Sequence, residues 1–219
     1  MSLLEIEKIT KSYQDGTEKQ QVLDEVSLKV DGGEVVAIVG PSGSGKSTLL
    51  SIAGMLLSPD RGIVRIGGTE VSSLPKKEWA KVRRERIGFV FQSHHLLPYL
   101  NSEEQLTLFQ EKRKQKKVSA LELLKELDVE SCIRKYPANM SGGEKQRVAI
   151  ARAFINDPDI ILADEPTASL DAKRGRQAVE MIRNEAKKRG KAAVVVTHDE
   201  RILDLIDKIY PLENGKLML

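Results

Sequence analysis

The sequence lacks several features that would place it in common classes of protein. Its one cysteine, Cys132, excludes a disulfide within the chain, and we interpret it as a packed thiol. Aromatic residues are scarce, at 4%. The apolar runs, such as Val35–Val39 and Ala192–Val196, have the length of strands, whereas a helix that spans a bilayer needs about 20 residues. We therefore expect that any role at a membrane requires a partner protein.

A strong excess of one charge is also missing. The 35 basic and 32 acidic residues leave a net charge of +3, too small and too evenly spread to indicate nucleic-acid binding. The densest basic run, Lys112–Lys117, has no aromatic residue between its charges to stack on bases. We interpret it as a solvated helix end or loop, with a contact to anionic lipid or RNA as the alternative. The first residues, Met-Ser-Leu-Leu-Glu, lack the pattern of a secretory leader, so we expect a cytoplasmic location.

Strand-like and helical patterns alternate through much of the chain. The strand-like segments are Val35–Val39, Ile87–Phe91, Ile160–Ala163 and Ala192–Thr197. The helical segments are Ser47–Leu57, Lys145–Ile155 and Ala172–Arg189. This alternation predicts an α/β protein in which helices flank a parallel sheet.

The N-terminal region departs from this alternation. Leu3–Val30 and Gly62–Ile66 read as short strands, with turns at Asp15-Gly16 and Gly67-Gly68. Short strands joined by tight turns pair antiparallel. We therefore predict an antiparallel side sheet.

A helical lobe is predicted within the chain. Residues 93–153 are mainly helical in pattern, and Val118–Leu127 is the clearest helix. Because no repeat or linker divides the sequence, we predict one domain over residues 1–219. Its core comprises residues 1–92 and 154–219.

A glycine-rich stretch follows the first predicted core strand and opens a helix, which is the setting of a phosphate-binding loop. Its residues are Gly40, Pro41, Ser42, Gly43, Ser44, Gly45, Lys46 and Ser47, followed by Thr48. Glycines let backbone N–H groups surround a phosphate, and the helix N-terminus adds partial positive charge. Lys46 is predicted to reach the β- and γ-phosphates of a nucleotide, and Ser47 to bind Mg²⁺, which prefers oxygen ligands. The loop alone would also suit a kinase, a GTPase or a recombinase-like motor.

Two carboxylates end another predicted strand. Ile160–Ala163 leads directly into Asp164 and Glu165, and ligands of open α/β sheets bind at this end of the strands. Asp164 is predicted to hold Mg²⁺, and Glu165 to accept a proton from the water that attacks the γ-phosphate. A helix-capping pair is the alternative interpretation.

The segment Met140-Ser141-Gly142-Gly143-Glu144, with Lys145–Ala153 after it, resembles the signature motif of the ATP-binding cassette (ABC) family. The resemblance covers essentially the whole chain and implies a P-loop NTPase with a RecA-like core and a helical signature lobe. It further implies Tyr13 as the adenine-stacking aromatic and Gln92 as the Q-loop residue at the Mg²⁺ and catalytic site. Ser169-Leu170-Asp171 matches the D-loop that contacts nucleotide, and His198 the catalytic switch histidine.

Ser141, Gly142 and Gly143 begin a helix and are predicted to form a second anion site. In the family such a site closes over the γ-phosphate held by a partner subunit, which implies a head-to-tail dimer around two ATP molecules. The chain departs from the family where Met140 replaces leucine and Glu144 replaces glutamine. We expect neither change to prevent phosphate contact.

Several of these residues have simpler interpretations when taken alone. Tyr13 suits a surface aromatic, Gln92 a loop residue and His198 a strand-end cap. Their occurrence together, in family order, favours function. The adjacent His94 and His95 do not predict a metal site, because no further Cys or His cluster accompanies them.

The stretch Phe91–Leu100 and the motif order look like the subgroup of macrolide exporters, lipoprotein-release ATPases and bacitracin-resistance pumps. Gly143–Arg147 with Ala163–Asp171 looks most like the ATPase of haem-efflux pumps. The resemblance implies an integral-membrane permease as partner, a location at the cytoplasmic face of the membrane, and export of haem, a drug or an antimicrobial peptide. The alternatives are a cell-division ATPase that moves no substrate, and a soluble cassette acting on ribosomes or DNA.

Overall fold

A computed structural model describes residues 1–15, 18–110, 118–168 and 170–218 as ten strands and six α-helices. The strands are β1 (Ser2–Asp15), β2 (Glu18–Asp31), β3 (Val35–Val39), β4 (Arg61–Ile66), β5 (Thr69–Glu70), β6 (Ile87–Val90), β7 (Ile160–Asp164), β8 (Ala192–Val196), β9 (Lys208–Glu213) and β10 (Lys216–Leu217). The helices are α1 (Lys46–Ala53), α2 (Lys76–Arg86), α3 (Ser102–Phe109), α4 (Ala120–Glu126), α5 (Gly142–Phe154) and α6 (Ala172–Arg189).

An antiparallel sheet has the strand order β2-β1-β4-β5. It confirms the predicted side sheet, but β1 and β2 are long strands where short ones were expected. Their pairing shifts register near Lys8 and Glu25, two non-glycine residues with positive φ angles of 47° and 49°. Such bulges break the alternation of side chains that would mark one long strand in a sequence. The predicted turn at Gly67-Gly68 is confirmed, whereas Gly16 lies outside the described residues.

The second sheet has the order β10-β9-β3-β8-β7-β6, parallel except for the pairing of β9 with β10. Its central strands are buried on both faces, which explains their continuous apolar sequences. Alternate residues enter different cores: Ile160 and Leu162 face the side sheet and α1, whereas Ile161 and Ala163 face α5 and α6. The parallel sheet thus joins the two cores and brings the carboxyl ends of β3 and β7 to one edge.

The helices around this sheet were predicted with uneven success. The bounds of α6 were predicted correctly, and its last turn ends at Gly190, whose φ is 64°. Helix α2 was missed because it is mostly charged and buries little beyond Trp79 and Val82. No segment in the described residues forms a helix of the length and apolarity needed to cross a bilayer.

The helical lobe contains α3, α4 and the start of α5. Asn101 caps α3 through a capping box with Glu104, and Gln105 hydrogen-bonds the backbone of Leu97 and Leu100. Further along, α5 buries Phe154 in the core under the parallel sheet. The lobe is therefore anchored through α5. The basic run Lys112–Lys117 lies outside the described residues.

Candidate nucleotide-binding site

The phosphate loop connects β3 to α1. Gly45 caps α1 in a left-handed conformation with φ of 102°, without a side-chain hydrogen bond to the helix. A Cβ on Gly45 would lie 2.8 Å from the backbone oxygen of Val22, so a larger residue does not fit there. At Gly43, with φ of 81°, a Cβ would meet nothing within 4 Å among the described residues. The backbone itself therefore shapes an open cradle at the helix N-terminus, where N–H groups lack intrahelical partners.

Lys46 is folded over this cradle. Its side chain is nearly buried, and its Nζ donates hydrogen bonds to the carbonyl oxygens of Gly40 and Pro41, at 2.8 Å each. Nearby, the buried Ser44 Oγ has no hydrogen-bond partner among the described residues. A buried positive charge and an unsatisfied hydroxyl both suit an anionic ligand.

The two predicted carboxylates lie where β7 ends. Burial, and then the neighbouring Glu165 carboxylate, raise the pKa of Asp164, and the ammonium of Lys46 opposes that rise. Since β3 and β7 are both parallel to β8, Asp164 emerges at the same edge as the phosphate loop. A cation near Asp164 would favour its ionised form.

Glu165 adopts an unusual backbone conformation and contacts His198. Its φ of 46° is left-handed, and its N–H donates to the carbonyl of Val196 on β8. Its Oε1 lies 2.9 Å from His198 Nδ1. The other oxygen, Oε2, is buried without a hydrogen-bond partner in the described part of the chain. This arrangement holds one carboxylate oxygen at His198 and leaves the buried one without a hydrogen bond.

One cleft of about 670 Å³ brings most of the predicted residues together. It is lined by Tyr13, Val22, Gly40, Pro41, Ser42, Gly43, Gly45, Lys46, Ser47, Thr48, Gln92, Glu165, Ala168 and His198. Val22 and Ala168 were missed because an apolar residue in a strand or loop carries no chemical signal. Ser44 lies beneath the loop rather than on the cleft wall.

Tyr13 stands at the outer end of the cleft. Its ring is 42% exposed, and its hydroxyl lies 3.4 Å from Thr48 Oγ1. The ammonium of Lys11 lies 5.8 Å from the ring centroid. An exposed ring beside the phosphate loop offers a face on which a base can stack.

The residues predicted to bind magnesium supply oxygen atoms. Ser47 and Gln92 line the cleft, and Asp164 lies at the strand end beside it. No group of three or more His, Cys, Asp or Glu side chains converges within the described ranges. A hydroxyl, an amide and one carboxylate still suit Mg²⁺, which binds to few protein groups and completes its shell with substrate phosphates and water.

The signature residues lie elsewhere in the chain. Ser141 caps α5 in a capping box with Glu144, and both line a second cleft, of about 380 Å³, with Gly143. The two clefts share none of their lining residues in the described chain. Asp171 caps α6 and lines neither cleft. Gly142 precedes Gly143 in the first turn, and Ser169 lies outside the described residues.

Two groups of contacts around α5 were not foreseen. Glu144 accepts hydrogen bonds from Lys135 Nζ at 2.9 Å and from Cys132 Sγ at 3.0 Å. Arg152, at the far end of α5, donates to the carbonyl oxygens of His94 and His95. These contacts join distant segments through irregular backbone, so no sequence periodicity could indicate them.

Known proteins resemble this chain over nearly its whole length. A protein-family model described as ABC transporter matches residues 23–168. A relative from Staphylococcus aureus (strain bovine RF122 / ET3-1), named as a candidate hemin import ATP-binding protein, HrtA, is 45% identical over 218 residues. That alignment covers 98% of each chain. The protein of the same name from strain Newman is 44% identical, with the same coverage.

A solved structure supports the fold as well. The dimeric, post-hydrolysis ATP-binding cassette MJ0796, bound to ADP and Pi, is 39% identical to this chain with a TM-score of 0.87. The match covers 99% of this chain and 97% of that one. The predicted P-loop NTPase fold and ATPase class are confirmed. The chain therefore belongs to the ABC transporter family, as one of its ATP-binding, ATP-hydrolysing subunits.

Proposed function

We propose that this chain drives a haem exporter, bound to an integral-membrane permease at the cytoplasmic face of the membrane. The observation that carries the ATPase part is the single cleft that joins Lys46 of the phosphate loop to the Glu165–His198 pair. Phosphate binding and proton transfer need to meet at one point for hydrolysis. The likeness to hemin-related relatives supports the choice of haem.

Each residue of the cleft has a distinct task in this proposal. Lys46 moves from the loop carbonyls to the β- and γ-phosphate oxygens, where negative charge develops during transfer. Glu165 accepts a proton from the attacking water, for which its carboxylate turns so that the buried, unpartnered Oε2 faces the cleft, while His198 contacts Oε1. When bound, Mg²⁺ supplies positive charge to the phosphates, and Ser47, Gln92 and Asp164 hold it.

The separation of the two clefts supports a head-to-tail dimer. One chain holds the phosphate loop and the signature turn in clefts with different walls, so neither cleft contacts ATP with both motifs. In the proposed dimer, the partner subunit's Ser141 and Gly143 meet the γ-phosphate bound at Lys46. Asp171, near the signature turn, contributes to this closed site.

The loop after Gln92 is the proposed contact with the permease. Tyr99 is 70% exposed, and Gln105 fixes the backbone of Leu97. Close by, Phe91, His95 and Phe109 line an apolar cleft of about 440 Å³. An apolar groove to which His95 of this loop contributes suits a helical segment of a partner.

We expect Leu97→Ala and Tyr99→Ala to leave ATP binding unchanged and to impair transport. Nucleotide binding is measured on the purified chain, and transport in membranes that contain the permease. Lys29→Ala, at an exposed position of β2 away from this cleft, is the surface control. Normal transport and normal permease binding in both variants would exclude this contact.

Transport direction and substrate are tested together. Inside-out vesicles that contain this chain and its co-purifying permease should accumulate haem when given ATP and Mg²⁺. Vesicles with Glu165→Gln should bind ATP and accumulate none. Accumulation by right-side-out vesicles that are loaded internally with ATP and Mg²⁺ would instead support import, the direction in the relatives' name.

Two other results would replace the proposal. Transport of a macrolide, a peptide or a lipoprotein, without haem, would keep the exporter and change its substrate. ATP turnover with a permease-like partner but no transported substrate would favour the cell-division alternative.

A further inference from the structure

Glu144 occupies a position where its charge matters. It lies in the first turn of α5, where the resemblance to the family expects an uncharged glutamine. Its Oε2 accepts a hydrogen bond of 2.7 Å from the backbone N–H of Ser141, and its own N–H donates to Ser141 Oγ. The N-terminal turn of α5 therefore already holds a carboxylate before any phosphate approaches.

This carboxylate is ionised. Hydrogen bonds from the Cys132 thiol, from the Ser141 backbone and from the Lys135 ammonium lower the pKa of Glu144 to about 2. The same cluster raises the pKa of Lys135, and burial, with Glu144 beside it, raises that of the Cys132 thiol. At neutral pH the cluster is a carboxylate, an ammonium and a neutral thiol.

A fixed carboxylate opposes the task of the signature turn. The free N–H groups of a helix N-terminus attract an anion, but a negative side chain in the same turn repels it, more strongly once closure excludes water. Lys135 Nζ lies 2.9 Å from Glu144 Oε1 and neutralises that charge. Lys135 comes from the irregular segment between the short 3₁₀ helices at Glu130–Cys132 and Pro137–Asn139, not from α5 itself.

We propose that Lys135 is a positioning residue of the ATP sandwich: by neutralising Glu144, it keeps the signature turn attractive to the γ-phosphate bound by the partner subunit. The proposal rests on the head-to-tail dimer proposed above. It explains how a glutamate can stand at this position. Lys135 acts through Glu144 and need not touch the nucleotide.

A purely structural role predicts something different. If the ion pair only pins the turn, removal of either partner should weaken dimer formation equally, and removal of both should not restore it. If charge is the cause, dimer formation should weaken only in the variant that leaves the Glu144 carboxylate without Lys135. Glu144→Gln keeps the shape of the side chain and removes the charge, so it separates the two cases.

The experiment uses the full chain in a Glu165→Gln background, which is expected to accumulate the ATP-bound dimer. Light scattering measures the ATP concentration that gives half-maximal dimer. Lys135→Met should raise it about tenfold, and Glu144→Gln should leave it unchanged or lower it. The double variant should match Glu144→Gln, and Lys135→Arg should match the parent. Lys125→Met, on exposed α4, is the matched control.

The outcomes are distinct. Equal losses in Lys135→Met, Glu144→Gln and the double variant would overturn the proposal in favour of a structural pin. A double variant as weak as Lys135→Met would overturn it in favour of direct contact between Lys135 and phosphate. A Glu165→Gln parent that stays monomeric would instead refute the sandwich itself. Thermal melting of each variant checks folding, and the half-exposed Lys135 should tolerate substitution.

Discussion

Two helices of this chain begin at a predicted phosphate site, α1 at the phosphate loop and α5 at the signature turn. At α1, the cap is Gly45 in a left-handed conformation, with no side-chain hydrogen bond to the helix. At α5, Ser141 and Glu144 form a complete capping box. The N-terminal N–H groups of α1 are therefore left to a ligand, whereas side chains of α5 accept hydrogen bonds from some of its N-terminal N–H groups.

The surroundings of the two helix N-termini also differ, and again α1 is the better prepared for a ligand. Lys46 is nearly buried over its cradle and lies near the Asp164 carboxylate, with which it interacts electrostatically. Ser141 is exposed, and the cleft that it lines is smaller. A site that must hold ATP alone has charge and shape built in, whereas in the proposed dimer the signature turn closes on a partner's ligand and must stay stable and soluble while open.

The largest effect is expected at the phosphate loop. Lys46→Ala should lower ATP turnover by about a hundredfold or more, because the positive charge at the reacting phosphate is lost. Folding should survive, since the hydrogen bonds that Lys46 makes among the described residues go to carbonyl groups of its own loop. Steady-state phosphate release measures this, with Lys77→Ala as control. Turnover within threefold of wild type would contradict the assignment.

A steric block at the second site should act through assembly. Ser141→Arg in the Glu165→Gln background should abolish the ATP-dependent dimer, because the large side chain fills the turn that meets the partner's phosphate. Sedimentation with ATP and Mg²⁺ should give about twice the monomer mass for Glu165→Gln, and monomer for the double variant. ATP binding to the monomer should persist. A double variant that still dimerises would place the interface elsewhere.

The two helix ends should also differ in what stabilises them. Gly45→Ala should cost about 1–3 kcal/mol of unfolding free energy, because alanine is strained at this positive φ and its Cβ meets the Val22 carbonyl. Ser141→Ala should cost about 1 kcal/mol through loss of the cap. Urea unfolding measures both. A larger cost at Ser141 than at Gly45 would reverse the comparison.

The smallest effect is expected at the contact with the nucleobase. Tyr13 offers a ring face, and every nucleobase has a face to stack on it. The affinities for ATP and GTP should therefore differ by about tenfold or less. Titration calorimetry on the wild-type chain tests this, and Tyr13→Ala should weaken both nucleotides alike. A preference above about a hundredfold would require a hydrogen-bonding pocket for the base.

The sequence predicted best where one motif contains all the contacts. Val35–Val39 and Ala172–Arg189 were found with their bounds because continuous apolar runs and helical periodicity are local signals. Strands β9 and β10 were missed: β9 contains Pro211, which weakens a strand pattern, and the edge strand β10 has only two residues. The helical lobe was predicted as a unit, but its attachment to the sheet through Phe154 depends on packing.

The candidate site shows the same difference between contacts within one segment and contacts between distant segments. The residues of the phosphate loop could be assigned from spacing, because the loop is one segment. The contact of Glu165 with His198 joins residues from two strand ends, and that of Glu144 with Lys135 crosses an irregular turn. Sequence resemblance placed some of these residues at the site, but the hydrogen bonds between them depend on the folded chain.

The left-handed backbone at Glu165 places the stability of the chain and its proposed catalysis in conflict. A φ of 46° suits glycine or asparagine better than glutamate, and the buried Oε2 lacks a hydrogen-bond partner among the described residues. Glu165→Gly should therefore raise the melting temperature of the chain while removing the proposed general base. Selection for heat resistance alone should therefore favour glycine at position 165, whereas selection for ATP turnover should favour glutamate.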